Sequence, residues 1–229
     1  MRISILTLFP EMFDGPFSVS IIKRAISKDI VKIHLINIRN YAEDRHKSVD
    51  DRPFGGGQGM IMKVDVLDRA IRDTVKKSVV PRTKTRIILM DPRGSVFNQQ
   101  QAKRLSSDYT HIILVCAHYE GADDRIRHFI DESISIGDYI LTGGELPAMV
   151  ITDGIVRLLP NVLKNTEATV DESFTNPNLL EFPQYTKPVT YKKYTVPELI
   201  RGGNHSAIKL WKEKQAVLMT KKLRPDLKQ

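Results

Sequence analysis

The sequence predicts an α/β protein: a sheet of parallel strands covered by helices, followed by a small all-helical C-terminal domain. Three observations carry this expectation. Apolar, β-rich runs alternate with helix-spaced segments through about the first 160 residues. Arg86–Met90 and His111–Cys116 are short runs dominated by apolar residues, the pattern of strands buried on both faces. After Pro160 the alternation stops, and prolines replace the apolar period.

Taken in order, Arg2–Leu8 is apolar and reads as a first strand. It follows one positive charge, and no small-residue cleavage site comes after it, so a signal peptide is not expected. Ser20–Lys28 places Ile21, Ile22, Ala25 and Ile26 at helical spacing. Val31–Ile38 alternates and is a second strand; Arg39–Gly59 is polar, ends in glycines and reads as a long loop. Val64, Leu67, Ala70, Ile71 and Val75 share one face of a helix over 64–77. The two apolar runs are separated by a helical Asn98–Leu105; a short helix and a strand follow between Asp123 and Ile136, then a helix over Glu145–Leu158.

Asn161–Tyr191 contains Pro177, Pro183 and Pro188 and no clear period. Val196–Arg201 and His205–Leu223 are helical, broken by Gly202–Gly203. Ile208, Trp211, Gln215 and Leu218 are expected to share one face of the last helix, with Lys209, Lys212 and Lys214 largely elsewhere. The expected organisation is therefore a domain over 1–160, a linker over 161–190 and a basic helical domain over 191–229.

Composition narrows the function. The chain has 229 residues, 41% hydrophobic and 27% charged, which is an ordinary globular balance. A single cysteine, Cys116, excludes an internal disulfide and points to a reducing, cytoplasmic setting. Runs such as Ile112–Ala117 are too short to span a bilayer, so no membrane association is expected. The formal charge is +8, and it is not evenly spread. Residues 186–229 hold eleven basic and three acidic groups, while the rest of the chain is neutral overall. Two readings of that basic tail stand side by side: a grip on a polyanion such as nucleic acid, or a solvated lysine-rich helix.

Several familiar chemistries are missing. No Gly-Lys pair exists to build a phosphate loop, and from Gly57 the run Gly-Gln-Gly-Met-Ile-Met lacks the third glycine of the dinucleotide fingerprint. Six scattered histidines and one cysteine give no zinc spacing, so no protein metal site is expected. There is no Gly-x-Ser-x-Gly elbow either.

Three loops follow predicted strands, where open α/β sheets hold their ligands. They are Asp91-Pro92-Arg93-Gly94, Ala117-His118-Tyr119-Glu120-Gly121 and Ile136–Glu145. Their coincidence on successive strand ends favours one shared pocket over three unrelated turns. The charged, glycine-terminated stretch Asp44–Met60 could hold phosphate on its free amides and cations, or be a mobile surface loop.

These residues carry a resemblance. Leu8-Phe9-Pro10-Glu11-Met12-Phe13, the Asp44–Met60 stretch, Tyr119-Glu120-Gly121, Ser135-Ile136-Gly137-Asp138-Tyr139, Gly143-Gly144-Glu145-Leu146-Pro147-Ala148-Met149 and Gly203-Asn204-His205 with Ile208, Trp211 and Gln215 occur in one order along nearly the whole chain. In that order the sequence resembles the bacterial tRNA (guanine-N1)-methyltransferases, the TrmD family of the SPOUT superfamily.

The resemblance implies transfer of a methyl group from S-adenosyl-L-methionine to N1 of the guanine just 3′ of the anticodon in tRNA. It implies a homodimer with the active site at the interface, a C-terminal trefoil knot in the first domain, and a dependence on Mg2+. Carried over by position, Pro92, Arg93, Gly94, Ala117, Tyr119, Glu120, Gly121, Ile136, Gly137, Asp138, Tyr139, Ile140 and Leu141 would bind the cofactor. Gly143, Gly144 and Pro147 would close the same pocket.

The chemistry fits such residues. Guanine N1 carries a proton at neutral pH, so a base must remove it, and charge then spreads to O6, where a cation helps. The family pattern places the base before Ser-Phe; here the run is Val170-Asp171-Glu172-Ser173-Phe174. Glu172 is the first candidate and Asp171 the second, with Arg157 as the cation. Glu120 and Asp50 are candidates for guanine contacts. Two departures from the family are Ala117 and His118, where it usually has Gly and Arg. Two other readings are a SPOUT ribose 2′-O-methyltransferase and a non-catalytic RNA-binding protein of the same fold. Asp171-Glu172-Ser173-Phe174 and the intact Gly143-Gly144 argue against both.

Overall fold

A computed structural model of the chain describes residues 1–164, 169 and 171–227. Val170 and Lys228, which belong to the candidate base motif and the basic tail, lie outside the described residues. The chain divides into two compact units, Met1–Lys164 and Asn165–Gln229.

The first unit is built on strands β1 (Arg2–Thr7), β2 (Lys32–Asn37), β5 (Thr85–Val96), β6 (His111–Cys116) and β7 (Glu132–Ser135), while β3 (Asp50–Asp51) and β4 (Ile61–Met62) form a small antiparallel ladder. Its helices are α1 (Asp14–Phe17), α2 (Ser20–Ser27), α3 (Val64–Lys76), α4 (Gln99–Asp108) and α5 (Glu145–Val156). The main sheet runs β2-β1-β6-β5-β7, every neighbouring pair parallel.

Strand alternation sends side chains to two separate cores. Ile112, Leu114 and Cys116 of β6, with Ile88 and Met90 of β5, pack against Ala25 of α2, Leu105 of α4 and Ile151 and Ile155 of α5. Ile113 and Val115, with Ile87 and Leu89, pack on the opposite face against Val66, Leu67, Ala70 and Ile71 of α3. Helices on both faces explain why β6 is apolar from Ile112 to Cys116 and, with His111, wholly buried. Helix α4 begins where Asn98 caps it, its side chain accepting from the Gln101 amide at 3.0 Å.

The run Asp91-Pro92-Arg93-Gly94, expected as a loop, is a bulge inside β5. Met90 and Ser95 both stand opposite Ile134 of β7, so the four residues between them are extruded. Proline cannot donate to a ladder, which favours extrusion there. Gly94 closes the bulge against the β7 backbone, where a Cβ would come within 2.5 Å of the Ile134 nitrogen.

In the second unit, β8 (Thr190–Tyr191) and β9 (Tyr194–Thr195) form a two-residue hairpin, followed by α6 (Glu198–Arg201) and α7 (His205–Leu223). This unit is therefore not all helical: Lys192 takes a positive φ of 53°, which turns the chain between the two short strands. Helix α7 starts at Asn204, whose side chain accepts from the Ala207 amide at 3.1 Å. Its buried seam is Ala216 and Thr220, while Leu218 is 49% exposed. The hydroxyl of Thr220 accepts from the Leu180 amide at 2.9 Å and donates to the Ala216 carbonyl, so the 171–185 segment chooses the seam through the backbone.

Among the described residues, no helix is long and apolar enough to cross a membrane.

Candidate active site

Ligands of open α/β sheets sit at the carboxyl ends of strands. At those ends of β6 and β7, beside the bulge in β5, the first unit holds a cavity of about 330 Å³. The backbone builds it. The Gly144 amide donates to the Ala117 carbonyl at 2.7 Å, and His118 bridges Gly143 in antiparallel fashion. These links dock the start of α5 onto the end of β6. A Cβ on Gly144 would stand 2.8 Å from Cys116 Cα, so the close approach needs glycine.

The glycine-rich stretch before β4 secures the other wall. Glu120 N donates to the Met60 carbonyl at 3.0 Å, Met62 N to the Gly121 carbonyl at 2.9 Å, and Asp123 N to the Met62 carbonyl at 3.0 Å. The third wall is the turn after β7, where the Ser135 hydroxyl donates to the Gly137 carbonyl at 3.0 Å.

Most of the residues carried over as cofactor ligands line this one cavity. They are Pro92 from the bulge, Ala117, Tyr119, Glu120 and Gly121 from the β6 loop, and Ile136, Gly137, Tyr139, Ile140 and Leu141 after β7. Gly143, Gly144 and Pro147 at the start of α5 complete the set. Arg93, Gly94 and Asp138 do not line it. Gly94 is spent on the β5–β7 contact, and Asp138 is exposed. Arg93 is turned to acids: its Nη2 donates to Asp91 Oδ2 at 2.9 Å, and its Nη1 lies 3.4 Å from Asp124 Oδ1.

Met90, Ile134 and Ser135 also line the cavity from outside the three loops expected there, and Asp91, His118 and Thr142 from within them. Thr142 and His118 stand inside loops already marked by their glycines, so the signal for them is present in the sequence. Asp91 is buried, which by itself would raise its carboxyl pKa; hydrogen bonds from Arg93 and the nearby Arg127 charge outweigh this and hold it below the usual range. Ala117 lies outside the left-handed backbone region, so its methyl group is accepted there without strain.

Arg157 is the C-cap of α5 and half-buried in the first unit. In the second unit, Asp171 is exposed and Glu172 half-buried. Both line a cavity of about 280 Å³ with Asn176, Phe182, Lys209, Lys212 and Glu213. Lys212 stands over the Phe182 ring at 4.5 Å. Among the described residues, no cluster of three or more His, Cys, Asp or Glu side chains could hold a metal ion.

The model of one family, tRNA (Guanine-1)-methyltransferase TrmD, matches residues 1–229. A tRNA (guanine-N(1)-)-methyltransferase from Staphylococcus haemolyticus is 50% identical over 228 residues, 99% of this chain and 90% of the relative. One from Staphylococcus carnosus is 49% identical with the same coverage, and one from Dictyoglomus turgidum is 47% identical over 227 residues, 99% of this chain and 89% of the relative. A match of this extent shows that the chain, whose strand ends carry a glycine-walled cavity, belongs to the tRNA (guanine-N1)-methyltransferase family, TrmD.

Proposed function

We propose that the chain transfers a methyl group from S-adenosylmethionine to N1 of the guanine 3′ to the anticodon of tRNA. The observation that carries this reading is the cavity of about 330 Å³ between the β5 bulge and the ends of β6 and β7, in a chain that matches the methyltransferase family from end to end. The cavity suits the cofactor. Its size falls at the lower end of the range of small-molecule sites. Met90, Ile134, Ile136 and Leu141 offer an apolar surface for a purine, and the loop backbones offer polar groups for its edges. When bound, the cofactor supplies the electrophilic methyl group.

The chain's own residues handle the proton and the charge. Glu172, with Asp171 as the alternative, takes the proton from guanine N1, and Arg157 stabilises the negative charge that spreads to O6. The exposed lysines of α7 grip the tRNA backbone, positioning it without reading its sequence. The target guanine leaves its stack to react, and the substrate puts the reaction in the cytoplasm.

The same reading includes a homodimer that shares the active site. Leu146 and Val150, one turn apart on α5, are 47% and 48% exposed, and Met12 is 41% exposed; such apolar surface suits a second copy of the chain. It also includes the family's trefoil knot in the cofactor loops. It includes a Mg2+ requirement as well, carried over from the family.

Incubation with methyl-labelled cofactor and unmodified tRNA, followed by digestion to nucleosides, tests the proposal. Label in 1-methylguanosine is the expected result. Label on a ribose, or no incorporation, would overturn it.

A further inference from the structure

One buried acidic side chain neither lines the cavity nor takes part in the proton transfer proposed for Glu172. Glu145, the first residue of α5, is 1% exposed. Its Oε1 accepts from the Thr7 hydroxyl at 2.8 Å. Its Oε2 faces His118 Nδ1 at 3.7 Å, beyond hydrogen-bonding distance, and that nitrogen is buried with no hydrogen-bond partner. Among the described residues, no lysine or arginine pairs with Glu145, unlike the buried Asp91, which holds both Arg93 and Arg127.

A buried carboxylate without a permanent cation is costly. The N-terminus of α5 offsets part of that cost. A non-ionic residue would avoid it altogether, so the carboxylate points to a cation supplied from elsewhere. Its place says where. A Cβ on Gly143 would collide with both Glu145 Oε2 and His118 Nδ1, so the carboxylate lies directly behind the Gly143 backbone. Gly143, Gly144 and His118 are cavity wall. The carboxylate therefore sits behind one layer of cavity wall, where a charge is felt strongly because the surroundings are of low dielectric.

We propose that Glu145 is the counter-charge for the sulfonium cation of the methyl donor, biasing the cavity toward the donor and against its demethylated, uncharged product. His118 and Thr7 are positioning residues: Thr7 fixes one carboxylate oxygen, and the His118 ring, packed on Phe9 at 5.0 Å and Tyr119 at 5.1 Å, confines the other. The proposal rests on the cofactor reading of the cavity. It requires no new chemistry, only that a fixed negative charge distinguish two ligands of nearly equal shape.

Calorimetric titration of the full-length protein with S-adenosylmethionine, with S-adenosylhomocysteine and with an analogue carrying an ammonium in place of the sulfonium tests it. Glu145→Gln should lower the donor-to-product affinity ratio about tenfold, about 1.4 kcal/mol. The loss should fall on both cationic ligands, with the neutral product bound as before. Glu145→Asp should restore much of the ratio. Thr7→Val, which keeps the charge but frees one oxygen, should lower the ratio less and keeps the test open if Glu145→Gln fails to fold. An unchanged ratio in folded Glu145→Gln, or equal losses for all three ligands, would overturn the counter-charge. Failure of the wild-type protein to bind any of the three would instead overturn the cofactor reading itself.

Discussion

The Gly144 amide donates to the Ala117 carbonyl at 2.7 Å, and this bond joins the end of β6 to the start of α5. It links two of the three walls of the cavity directly, and it exists because Gly144 has no side chain to hold Cys116 away. Gly144→Ala should therefore damage the cavity before it damages the sheet. The added methyl costs on the order of 1–3 kcal/mol of stability, read from denaturant unfolding. Donor affinity should fall at least tenfold, read by calorimetry. A variant with normal donor affinity would show that this junction does not shape the site.

Glu172→Gln keeps the shape of the side chain and removes its basicity. Single-turnover methyl transfer should fall by about 10²–10⁴-fold, the usual worth of a positioned base, with donor affinity nearly unchanged. If Asp171→Asn shows that fall and Glu172→Gln does not, the proton goes to Asp171. Arg157→Ala should slow the same step by about 2.7–4 kcal/mol, as for the removal of an oxyanion donor. A change confined to donor affinity would remove Arg157 from the chemistry.

His111 makes stability depend on pH. It is fully buried, with Ser4 Oγ 2.9 Å from Nε2 and Ser78 Oγ 3.0 Å from Nδ1. Burial, then the charges of Arg2 and His34, push its pKa down from 6.5 to about 4. Above pH 6.5 the ring is neutral in both folded and unfolded chains and has no effect. As pH falls from 6.5 toward 4, the unfolded chain takes the proton first, and stability drops by up to about 3 kcal/mol from this group. Denaturant midpoints across that window should fall in the wild type and fall less in His111→Asn. Parallel curves for the two proteins would assign the acid sensitivity elsewhere.

The basic tail makes a salt-dependence prediction. Lys209, Lys214, Lys221 and Lys222 are exposed on α7. Replacing all four with alanine should weaken tRNA binding and reduce the salt slope by about 0.7–0.9 for each phosphate no longer neutralised, with donor affinity intact. An unchanged slope would make the lysines a solvated face and nothing more.

Much of this is legible in the residues. Periodicity locates β1, β2, α2, α3, β6 and α5 to within a few positions, because both sheet faces are covered and the pattern is strong. The Asp91–Gly94 bulge is not legible as part of a strand, because Pro92 and Gly94 carry the same local signal in a bulge as in a loop. The ladders Asp50–Asp51 with Ile61–Met62 and Thr190–Tyr191 with Tyr194–Thr195 are two residues long, too short for alternation to register. The seam of α7 turns toward Ala216 and Thr220 because the Leu180 amide bonds the Thr220 hydroxyl, a contact across forty positions that no helical wheel contains. At the cavity, glycines mark the loops, but Arg93 joins the expected ligands only through its neighbours in sequence. Folding brings Asp91 and Asp124 to its guanidinium, and nothing local to the Pro92–Gly94 run signals that pairing with Asp124.

A crystal structure with S-adenosylmethionine bound decides whether the strand-end cavity holds the methyl donor. The expected result is ligand density walled by Ala117–Gly121, Ile136–Leu141 and Gly143–Gly144, with the sulfonium on the Gly143 side facing Glu145. Density elsewhere on the protein, with these loops closed on one another, would contradict it.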